Sequence, residues 1–332
     1  MRTAGNVTIH KPDQIHPGYV LYSAYAGEEF VLIDREGCVV HAWPVGGPVK
    51  IGELLPNGHL LYARMQQGVF EADWDSQPLW EFRCRQHHDF FRCANGNTIA
   101  IFNELGFNAK VRRGTLDKND AFAEVTPAGE VAWEWHFLEH ADEFAELADI
   151  TFPRKGDDWA HTNTVEVLPD TPLGQRDARF AAGNVLFSSR NLHTVGVIER
   201  PSNRLVWAYG HGRLDGQHMP TMQPNGRIML FDNGTSRKFS RVLEIDPSTD
   251  ETTWEFRLPD YAFAYSMSGQ EPLPNGNVLI CSANQGIVME VTREGEIVWQ
   301  FRNTEVRGRR EDYVTAVYRA AFCPVERVDA RL

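Results

Sequence analysis

A single phrase recurs along this chain and limits what it can fold into. The phrase is Leu-Pro-Asn-Gly, an apolar run, a polar turn and a segment that ends in Trp-Glu-Phe or a close variant. Its first half occurs as LLPNGHLLYA (54–63), CANGNTIAIF (93–102), MQPNGRIMLF (222–231) and PLPNGNVLIC (272–281). Its second half occurs as SQPLWEF (76–82), GEVAWEW (129–135), NRLVWAY (203–209), DETTWEF (250–256) and GEIVWQF (295–301), with a degenerate copy, GCVVHAW (37–43). A recurring phrase of this kind is typical of repeat architectures.

Each repeat predicts a small antiparallel sheet. Asn-Gly between alternating apolar runs is a strong hairpin signal, and units of roughly 40 to 50 residues match a propeller blade. The tryptophan of the second half and the aromatic residue two positions later share one strand face, where we expect them to pack between blades. The sequence therefore predicts an all-β fold, a six-bladed β-propeller with four-stranded antiparallel blades.

The first blade has no inner strand before GYVLYSAY (18–25). We expect the C-terminal segment 315–327 to supply that strand, because it would close the ring and cover an open sheet edge. The chain is then a single propeller domain over residues 1–332. Its blades are 315–327 with 18–45, and then 48–83, 86–136, 160–210, 216–257 and 265–302.

Two insertions interrupt the repeat. Residues 104–120 are predicted to form a long polar loop, and residues 136–158 contain a short helix-like stretch with apolar positions Phe144, Leu147 and Ile150. Insertions of this length in a compact domain often serve as lids or binding elements.

Charge and composition exclude several kinds of function. A net charge of −12 and a pI of about 5.5 argue against a nucleic-acid partner. No apolar run approaches membrane-spanning length, and the N-terminal segment lacks the apolar stretch of a signal peptide. We therefore expect a cytoplasmic protein that binds a small molecule, with neither a nucleic-acid nor a membrane partner and with an oligomeric state that the sequence does not define. Five cysteines without metal-type spacing favour reduced thiols (Cys38, Cys84, Cys93, Cys281 and Cys323).

Aligning the blades on the turn asparagine brings out a ring of polar residues. The first strand of each blade lines the central channel of a propeller. Seven positions before the turn residue, the six blades carry Lys50, His88, Asn163, His218, Ser268 and Tyr318. None of the six is aliphatic, so we expect them to line one pocket. His161 lies two residues before Asn163 and therefore on the same strand face.

The second strand adds another set of channel positions. Seven residues after the turn glycine stand Tyr25, Met65, Asn103, Arg190, Asn233 and Ala283. Arg190 is the informative one, because a permanently charged guanidinium with a fork of donors suits a tetrahedral oxyanion such as sulfate or phosphate. Of the neighbours His87 and His88, we expect His88 to face the channel and His87 the opposite side of the strand. His193 is expected to lie in a loop.

These residues resemble the bacterial arylsulfotransferases that take a sulfuryl group from an aryl sulfate rather than from a nucleotide sulfate. The resemblance covers nearly the whole chain and includes GQHMPTMQPNG (216–226) and EVTREGEIVWQF (290–301). It implies a six-bladed propeller in which a channel histidine, matched by His218, is transiently sulfurylated. It also implies that His161 and Asn163 match the His-x-Asn pair of the family. Arg190 would match its sulfate-binding arginine, and His88 a further channel histidine.

The sequence thus predicts an arylsulfotransferase-like enzyme that acts on a small aryl or anionic substrate. A neutral imidazole nitrogen can attack sulfur and hold the transferred group, which divides one difficult transfer into two easier ones. The predicted catalytic residues are His218, His161, Arg190 and His88. The predicted substrate-binding residues are Asn163, Lys50, Tyr318, Ser268, Asn103 and Asn233. No cofactor and no metal ion is expected.

Two other interpretations stay open at the level of sequence. A lyase, hydrolase or isomerase would use the same channel, with a divalent metal ion held by His88, His161 and His218. A non-catalytic ligand-binding propeller would use the polar ring only as a solvated channel. None of the three interpretations defines the substrate.

Overall fold

The computed structural model describes residues 2–112, 114, 116–150, 152, 157–306 and 314–332. Antiparallel sheets account for most of the regular structure in these residues. The sheets are the blades of a six-bladed β-propeller, the fold that the sequence repeat predicts.

The strands run in sequence order across most sheets. One sheet contains β25 (Val317–Cys323), β2 (Tyr19–Ala24), β3 (Glu29–Ile33) and β4 (Val39–Pro44). The next contains β5 (Ile51–Leu54), β6 (Leu60–Arg64), β7 (Gly68–Ala72) and β8 (Pro78–Arg83). A five-stranded sheet contains β21 (Gly269–Pro272), β22 (Val278–Ser282), β23 (Ile287–Val291), β24 (Ile297–Asn303) and β1 (Gly5–His10). A fourth sheet contains β9 (Gln86–Arg92), β10 (Thr98–Gly106), β11 (Asp117–Val125) and β12 (Val131–His136). A fifth contains β13 (Thr162–Val167), β14 (Val185–Ser189), β15 (Thr194–Glu199) and β16 (Arg204–Tyr209). The sixth contains β17 (His218–Met222), β18 (Ile228–Asp232), β19 (Arg241–Asp246) and β20 (Glu251–Arg257).

Helices are few and short. The α-helices of the described residues are α1 (Ala141–Leu147) and α2 (Val325–Val328), and the 3-10 turns are Phe137–His140, Ala178–Phe180, Asp260–Ala262 and Asp329–Arg331. No described helix has the length and apolar character needed to cross a membrane.

The C-terminal strand completes the first blade, as predicted. Strand β25 pairs antiparallel with β2, so that Tyr19 lies opposite Cys323 and Tyr22 opposite Ala320. Phe322 is buried in the same apolar cluster as Tyr22. The last strand of the chain is therefore an integral part of the blade that the first repeat begins.

One blade has a fifth strand that the repeat does not indicate. Strand β1 pairs antiparallel with β24, with Gly5 opposite Asn303 and His10 opposite Trp299. The strand has alternating burial, but no turn links it to its partner, which lies almost 300 positions away in the sequence. Long-range pairing of this kind leaves no local signal in the sequence.

The chain divides into two compact units. The first contains Met1–Glu81, Lys238–Ser240 and Phe256–Leu332, and the second contains Phe82–Arg237 and Arg241–Glu255. Each unit has its own apolar clusters, in which the buried side chains come from neighbouring strands of that unit.

The recurring spacing of the turn phrase has a physical cause in the structure. In four blades the residue two positions after the turn asparagine donates to a buried glutamate on the third strand of the same sheet. The pairs are His59 with Glu71, Asn97 with Glu124, Arg227 with Glu244, and Asn277 with Glu290, at 2.6–3.0 Å. Because a buried carboxylate without a partner is costly, these bonds fix the turn against the sheet in each blade.

The aromatic pairs of the repeat lie on one strand face and are largely buried, in agreement with the sequence. Trp207 and Tyr209 stack at 6.1 Å between ring centroids, with an interplanar angle of 6°. Trp299 and Phe301 do the same at 6.1 Å and 9°. His41, which replaces tryptophan in the degenerate copy, stacks on Trp74 at 4.0 Å.

The first insertion differs from the sequence prediction. The two ends of the predicted loop, 104–106 and 117–120, are strands instead, because β10 and β11 continue as paired strands as far as Gly106 and Asp117. The polar residues of the insertion occupy strand positions, which composition alone cannot distinguish from a loop. The segment is therefore an extended hairpin.

The second insertion contains the predicted helical stretch. Phe144 of α1 is fully buried and stacks with Phe137 at 5.6 Å. Ile150 is also buried, whereas Leu147 is 47% exposed. The helix packs through one face on the second unit, close to the extended hairpin.

Candidate active site

His218 is almost fully buried, and its tautomer can be read from its contacts. Its Nδ1 lies 2.7 Å from Oδ1 of Asn233 and 3.1 Å from the main-chain oxygen of Gly216. A main-chain oxygen only accepts hydrogen bonds, so Nδ1 of the neutral ring carries the proton. Nε2 then has the lone pair, on the side of the ring away from these two oxygens. This is the form of histidine that can act as a nucleophile.

The segment around His218 is fixed by the preceding blade. Asn163 donates from Nδ2 to the main-chain oxygen of Gln217 at 2.8 Å, and its Oδ1 accepts from Thr164 at 3.1 Å. Thr164 in turn accepts a hydrogen bond from the main-chain nitrogen of Met219 at 2.9 Å. Asn163 is fully buried, and it holds the residue immediately before His218 in place.

Local backbone geometry explains why Asn163 reaches across. The pairing of β13 with β14 shifts register between Thr162 and Thr164, so Asn163 is the extra residue of a β-bulge. The pairing of β17 with β18 shifts in the same way between His218 and Thr221. Bulges redirect side chains and are common beside active sites.

His161 forms a dyad with a carboxylate. Its Nδ1 lies 2.7 Å from Oδ2 of Asp158, and Nζ of Lys118 lies 3.4 Å from the same oxygen. Burial by itself would raise the pKa of Asp158, but the hydrogen bond from His161 and the nearby positive charges outweigh it and lower the pKa to about 2. Asp158 is thus a permanent carboxylate, which fixes the proton of His161 on Nδ1 and leaves Nε2 for proton transfer.

His87 and His88 lie side by side, in contrast to the prediction that His87 faces the opposite side of its strand. The two Nδ1 atoms are 2.8 Å apart. His88 has a positive φ of 59°, which breaks the alternation of side chains on which the prediction depended. The ring of His88 also meets that of His161 edge-on, at 4.6 Å between centroids.

A second carboxylate supports the histidine cluster from behind. Oδ1 of Asp120 lies 3.2 Å from Nε2 of His87, and its Oδ2 accepts from the main-chain nitrogen of Thr162 at 2.7 Å. Asp120 is almost fully buried on the extended hairpin. The hairpin therefore contributes directly to the position of the residues that follow His161.

A cavity of about 340 Å³ lies beside these residues. Its walls include Arg190, His193, Asp158, Asp215, Gly216 and Thr235. Gly216 connects the cavity to the buried histidine, because its oxygen accepts from His218 and its nitrogen donates to Nδ1 of His193 at 3.0 Å. A side chain at Gly216 would place Cβ 2.9 Å from the hydroxyl of Thr235, so only glycine keeps this space open.

Arg190 supplies positive charge to the cavity. Its main-chain nitrogen donates to the oxygen of His161 at 3.1 Å, which places it next to the dyad. Among the described residues its guanidinium has one hydrogen-bond acceptor, Oδ1 of Asn191 at 3.0 Å. A guanidinium has five N–H donors, so Arg190 can still bind an anion through a fork.

The carboxylates of the cavity do not cancel this charge. Asp215 accepts from the main-chain nitrogens of Ser236 at 2.6 Å and Arg237 at 3.1 Å. Asp158 already pairs with Nζ of Lys118 at 3.4 Å and with Nδ1 of His161 at 2.7 Å. Burial lowers the pKa of His193, which keeps that ring neutral with Nδ1 as an acceptor. Arg190 is consequently the fixed cation of this wall.

The remaining predicted residues of the second unit have mainly internal contacts. Asn233 is fully buried directly after β18, and its Oδ1 lies 2.7 Å from Nδ1 of His218; a contact with substrate stays a prediction. Asn103 is 7% exposed, and its Oδ1 has no hydrogen-bond partner among the described residues.

Three predicted residues belong to the first unit. Nζ of Lys50 lies 5.3 Å from the ring centroid of Tyr318 and 5.4 Å from that of Tyr25. Burial lowers the pKa of Lys50. Ser268 is fully buried, and its hydroxyl accepts a hydrogen bond from the main-chain nitrogen of Ala283 at 3.0 Å. That these three share one channel with the histidines stays a prediction.

The sequence leaves a metal site at His88, His161 and His218 open as an alternative and predicts reduced cysteines. Within the described ranges, no group of three or more His, Cys, Asp or Glu side chains is arranged to hold a metal ion. His88, His161 and His218 are therefore not grouped as a ligand set. All five cysteines are free thiols.

Sequence reasoning missed Asp158, Asp120 and His87. Each acts through a neighbouring residue, and each lies in an insertion or at a position of broken alternation where the repeat gives no register. The phrase DDWAHTN (157–163) contains one usable signal, since an aspartate three residues before a histidine can reach its ring when the chain turns. The positive φ of 52° at His161 makes that turn.

Comparison with known proteins gives a family and a fold. The family model described as Arylsulfotransferase (ASST) matches residues 83–304. No curated protein gives a match. A solved protein of unknown function from Bacteroides caccae is similar, with a TM-score of 0.62 and 14% identity, covering 92% of this chain and 99% of that chain. A streptogramin B lyase structure is similar with a TM-score of 0.53 and 12% identity, covering 97% and 95%. At such identities these two structures show the fold alone.

Proposed function

We propose that this chain, which belongs to the arylsulfotransferase (ASST) family, transfers a sulfuryl group from an aryl sulfate to a hydroxyl acceptor through His218. Family membership supports a transferase-like enzyme. The observation that carries the specific proposal is the tautomer of His218, because Nδ1 is bound by two oxygens and the lone pair is therefore on Nε2.

The first step is attack of Nε2 of His218 on the sulfur of the donor. An N–S bond forms as the bond between sulfur and the aryl oxygen breaks, and the electron pair of that bond leaves with the phenolate. The ring becomes an N-sulfo imidazolium that keeps its proton on Nδ1 and donates it to Oδ1 of Asn233 and the main-chain oxygen of Gly216. Hydrogen bonds to a charged donor are stronger than those to a neutral one, so these two oxygens stabilise the intermediate more than the resting ring.

The second step reverses the first with a different oxygen. The hydroxyl of the acceptor attacks sulfur, the N–S bond breaks, and its electron pair returns to Nε2 of His218. The acceptor proton passes to a base, and a sulfate ester leaves. No oxidant, reductant or further reactant is needed.

His161 is the group proposed to move protons in both steps. With Nδ1 held by Asp158, the doubly protonated ring can donate its Nε2 proton to the departing phenolate oxygen, and the neutral ring that remains can accept the proton of the incoming hydroxyl on the same nitrogen. Arg190, beside it, would bind two oxygens of the sulfuryl group through its fork of donors. Loss of one preorganised donor of this type typically costs about 3 kcal/mol in the barrier.

The same dyad favours a second candidate function. A histidine held by a carboxylate, next to a fixed guanidinium, can also remove a proton adjacent to an anionic group, which is the first step of an elimination. One structure with a similar fold is a streptogramin B lyase. In that case His161 and Arg190 would be essential, whereas His218 would never carry a covalent group.

Turnover of 4-nitrophenyl sulfate with phenol as acceptor tests the proposal. The native protein should release 4-nitrophenolate and form phenyl sulfate, measured by absorbance and by mass spectrometry. His218→Ala should abolish both products without lowering the melting temperature. His211→Ala, a change to an exposed loop histidine, is the matched control and should keep full activity. Activity retained by His218→Ala would reject the nucleophile, and no transfer from any aryl sulfate would reject the reaction.

A further inference from the structure

The extended hairpin of β10 and β11 has two different faces. In an antiparallel pair, directly opposite residues point to the same side, and so do residues two positions apart. One face therefore contains the pair Asn103–Asp120 followed by the pair Leu105–Lys118. Phe107 comes directly after the end of β10, two positions beyond Leu105.

The opposite face is packed against the helical insertion. Asn119 accepts from the main-chain nitrogen of Leu138 at 2.9 Å. A Cβ added to Gly106 would lie 2.6 Å from the side chain of Leu138. His136 lies 3.2 Å from Glu104. This side of the hairpin is thus occupied by the protein itself.

The first face starts in the candidate site and ends in exposed apolar side chains. Asp120 contacts His87, and Lys118 contacts the carboxylate of the His161 dyad. Beyond them, Leu105 is 56% exposed, Phe107 58% and Leu116 55%. Large apolar side chains with this exposure, close together on one hairpin, are typical of a binding surface.

Asn103 gives the second observation. It is 93% buried at the inner end of this face, and its Oδ1 has no hydrogen-bond partner in the described part of the chain. A buried oxygen without a donor is costly, so a ligand that brings an O–H or N–H group to it gains the bond and removes the penalty. One end of the face thus has a polar oxygen without a hydrogen-bond donor, and the other end has apolar side chains exposed to solvent.

We infer that this face of the hairpin binds the acceptor, and that the acceptor is an extended amphipathic alcohol or phenol. Its hydroxyl would donate to Oδ1 of Asn103 in the ground state, and its apolar body would lie along Leu105 and Phe107. Asn103 and Phe107 are four residues apart, which is roughly 13 Å at about 3.3 Å per residue and longer than one aromatic ring. The inference rests on the proposed function for the role of this ligand as acceptor.

Binding of 4-alkylphenols by calorimetry, without any sulfate donor, tests the inference. Affinity should increase about two- to fourfold for each added methylene from phenol to 4-hexylphenol, because each methylene that packs on the hairpin is removed from water. Phe107→Ser and Leu116→Ser should remove most of this increase while leaving the binding of phenol unchanged. Val131→Ser is the matched control, since Val131 is 48% exposed on the outer strand of the same sheet.

A comparison of two ligands tests the proposed hydrogen bond to Oδ1 of Asn103. The methyl ether 4-hexylanisole cannot donate a hydrogen bond, so it should bind about tenfold more weakly than 4-hexylphenol to the native protein. The two ligands should bind Asn103→Leu equally. Affinity that does not depend on chain length, or equal losses in Phe107→Ser and Val131→Ser, would overturn the inference. Length-dependent binding without sulfuryl transfer would support the ligand site and reject the proposed function instead.

Discussion

Oδ1 of Asn233 lies 2.7 Å from Nδ1 of His218, at the junction of two strands of one blade. Nδ1 of His218 also contacts the main-chain oxygen of Gly216, and the two oxygens together place the ring proton on Nδ1. The two residues occupy equivalent channel positions on the first and second strands of the repeat, so the blade geometry itself brings them together. Their contact gives the buried histidine a defined tautomer.

Removal of the Asn233 acceptor should slow the reaction without unfolding the protein. Hydrogen bonds to charged groups are worth about 1.5–3 kcal/mol, so Asn233→Ala should reduce kcat roughly 10- to 100-fold. Asn233→Asp keeps an acceptor but adds a negative charge beside the ring, which raises the pKa of His218. Its kcat/KM profile should therefore fall at a higher pH on the acid side than that of the native protein. An unchanged pH profile would show that Asn233 does not act through His218.

Asp158 should matter for both stability and proton transfer. Because its pKa is lowered to about 2 in the folded protein, its contribution to stability is present above the unfolded value of about 3.9 and is lost as the pH falls through 2. Asp158→Asn should therefore lower the melting temperature at pH 7, with the difference disappearing below about pH 2. The variant should also lower kcat for poor leaving groups more than for 4-nitrophenolate, since the latter needs little proton assistance.

Glu166 should have the opposite effect on stability. Burial raises the pKa of Glu166 to about 8, and the nearby Asp89 adds to the shift. The folded state then binds this proton more tightly than the unfolded state, so stability falls as the pH rises from about 4 to 8. Glu166→Gln keeps the oxygen that accepts from Met222 at 3.2 Å and removes the charge. Its melting temperature should exceed that of the native protein at pH 8 and approach it at pH 4; a decrease at pH 8 would contradict the assignment.

The C-terminal strand should be essential for folding. Strand β25 pairs with β2 along its length and buries Val317 and Phe322. Deletion of residues 317–332 should therefore abolish the cooperative thermal transition, whereas deletion of residues 329–332, beyond the strand, should shift it only slightly. A shorter chain without β25 that melts at the native temperature would refute the role of this strand.

The fold could be predicted from the sequence because the repeat combines signals that agree. The Asn-Gly turns set hairpins, the residue after each turn reaches a buried glutamate, and aromatic pairs define one face of the outer strand. Strand β1 could not be found in this way, because its partner β24 is distant in sequence and no turn joins them.

The site was predictable only where the register of the repeat holds. His218, Asn233 and Arg190 stand at fixed distances from a turn, so alignment of the blades identifies them. Asp158 and His87 lie where insertions and positive φ angles break that register, as the value of 59° at His88 shows. Alignment also cannot tell a ligand-binding side chain from one that orients its neighbour, and the structure gives Asn163 and Asn233 contacts within the protein.

Detection of a covalent sulfo group on His218 tests the proposed mechanism most directly. The native protein is mixed with excess 4-nitrophenyl sulfate in the absence of an acceptor, stopped in base because N-sulfoimidazole is acid-labile, digested and analysed by tandem mass spectrometry. We predict one sulfo group per chain on the peptide that contains His218, formed together with one equivalent of 4-nitrophenolate and discharged when phenol is added. A sulfo group on His161 or His88, or release of 4-nitrophenolate and transfer to phenol with no modified histidine, would contradict it.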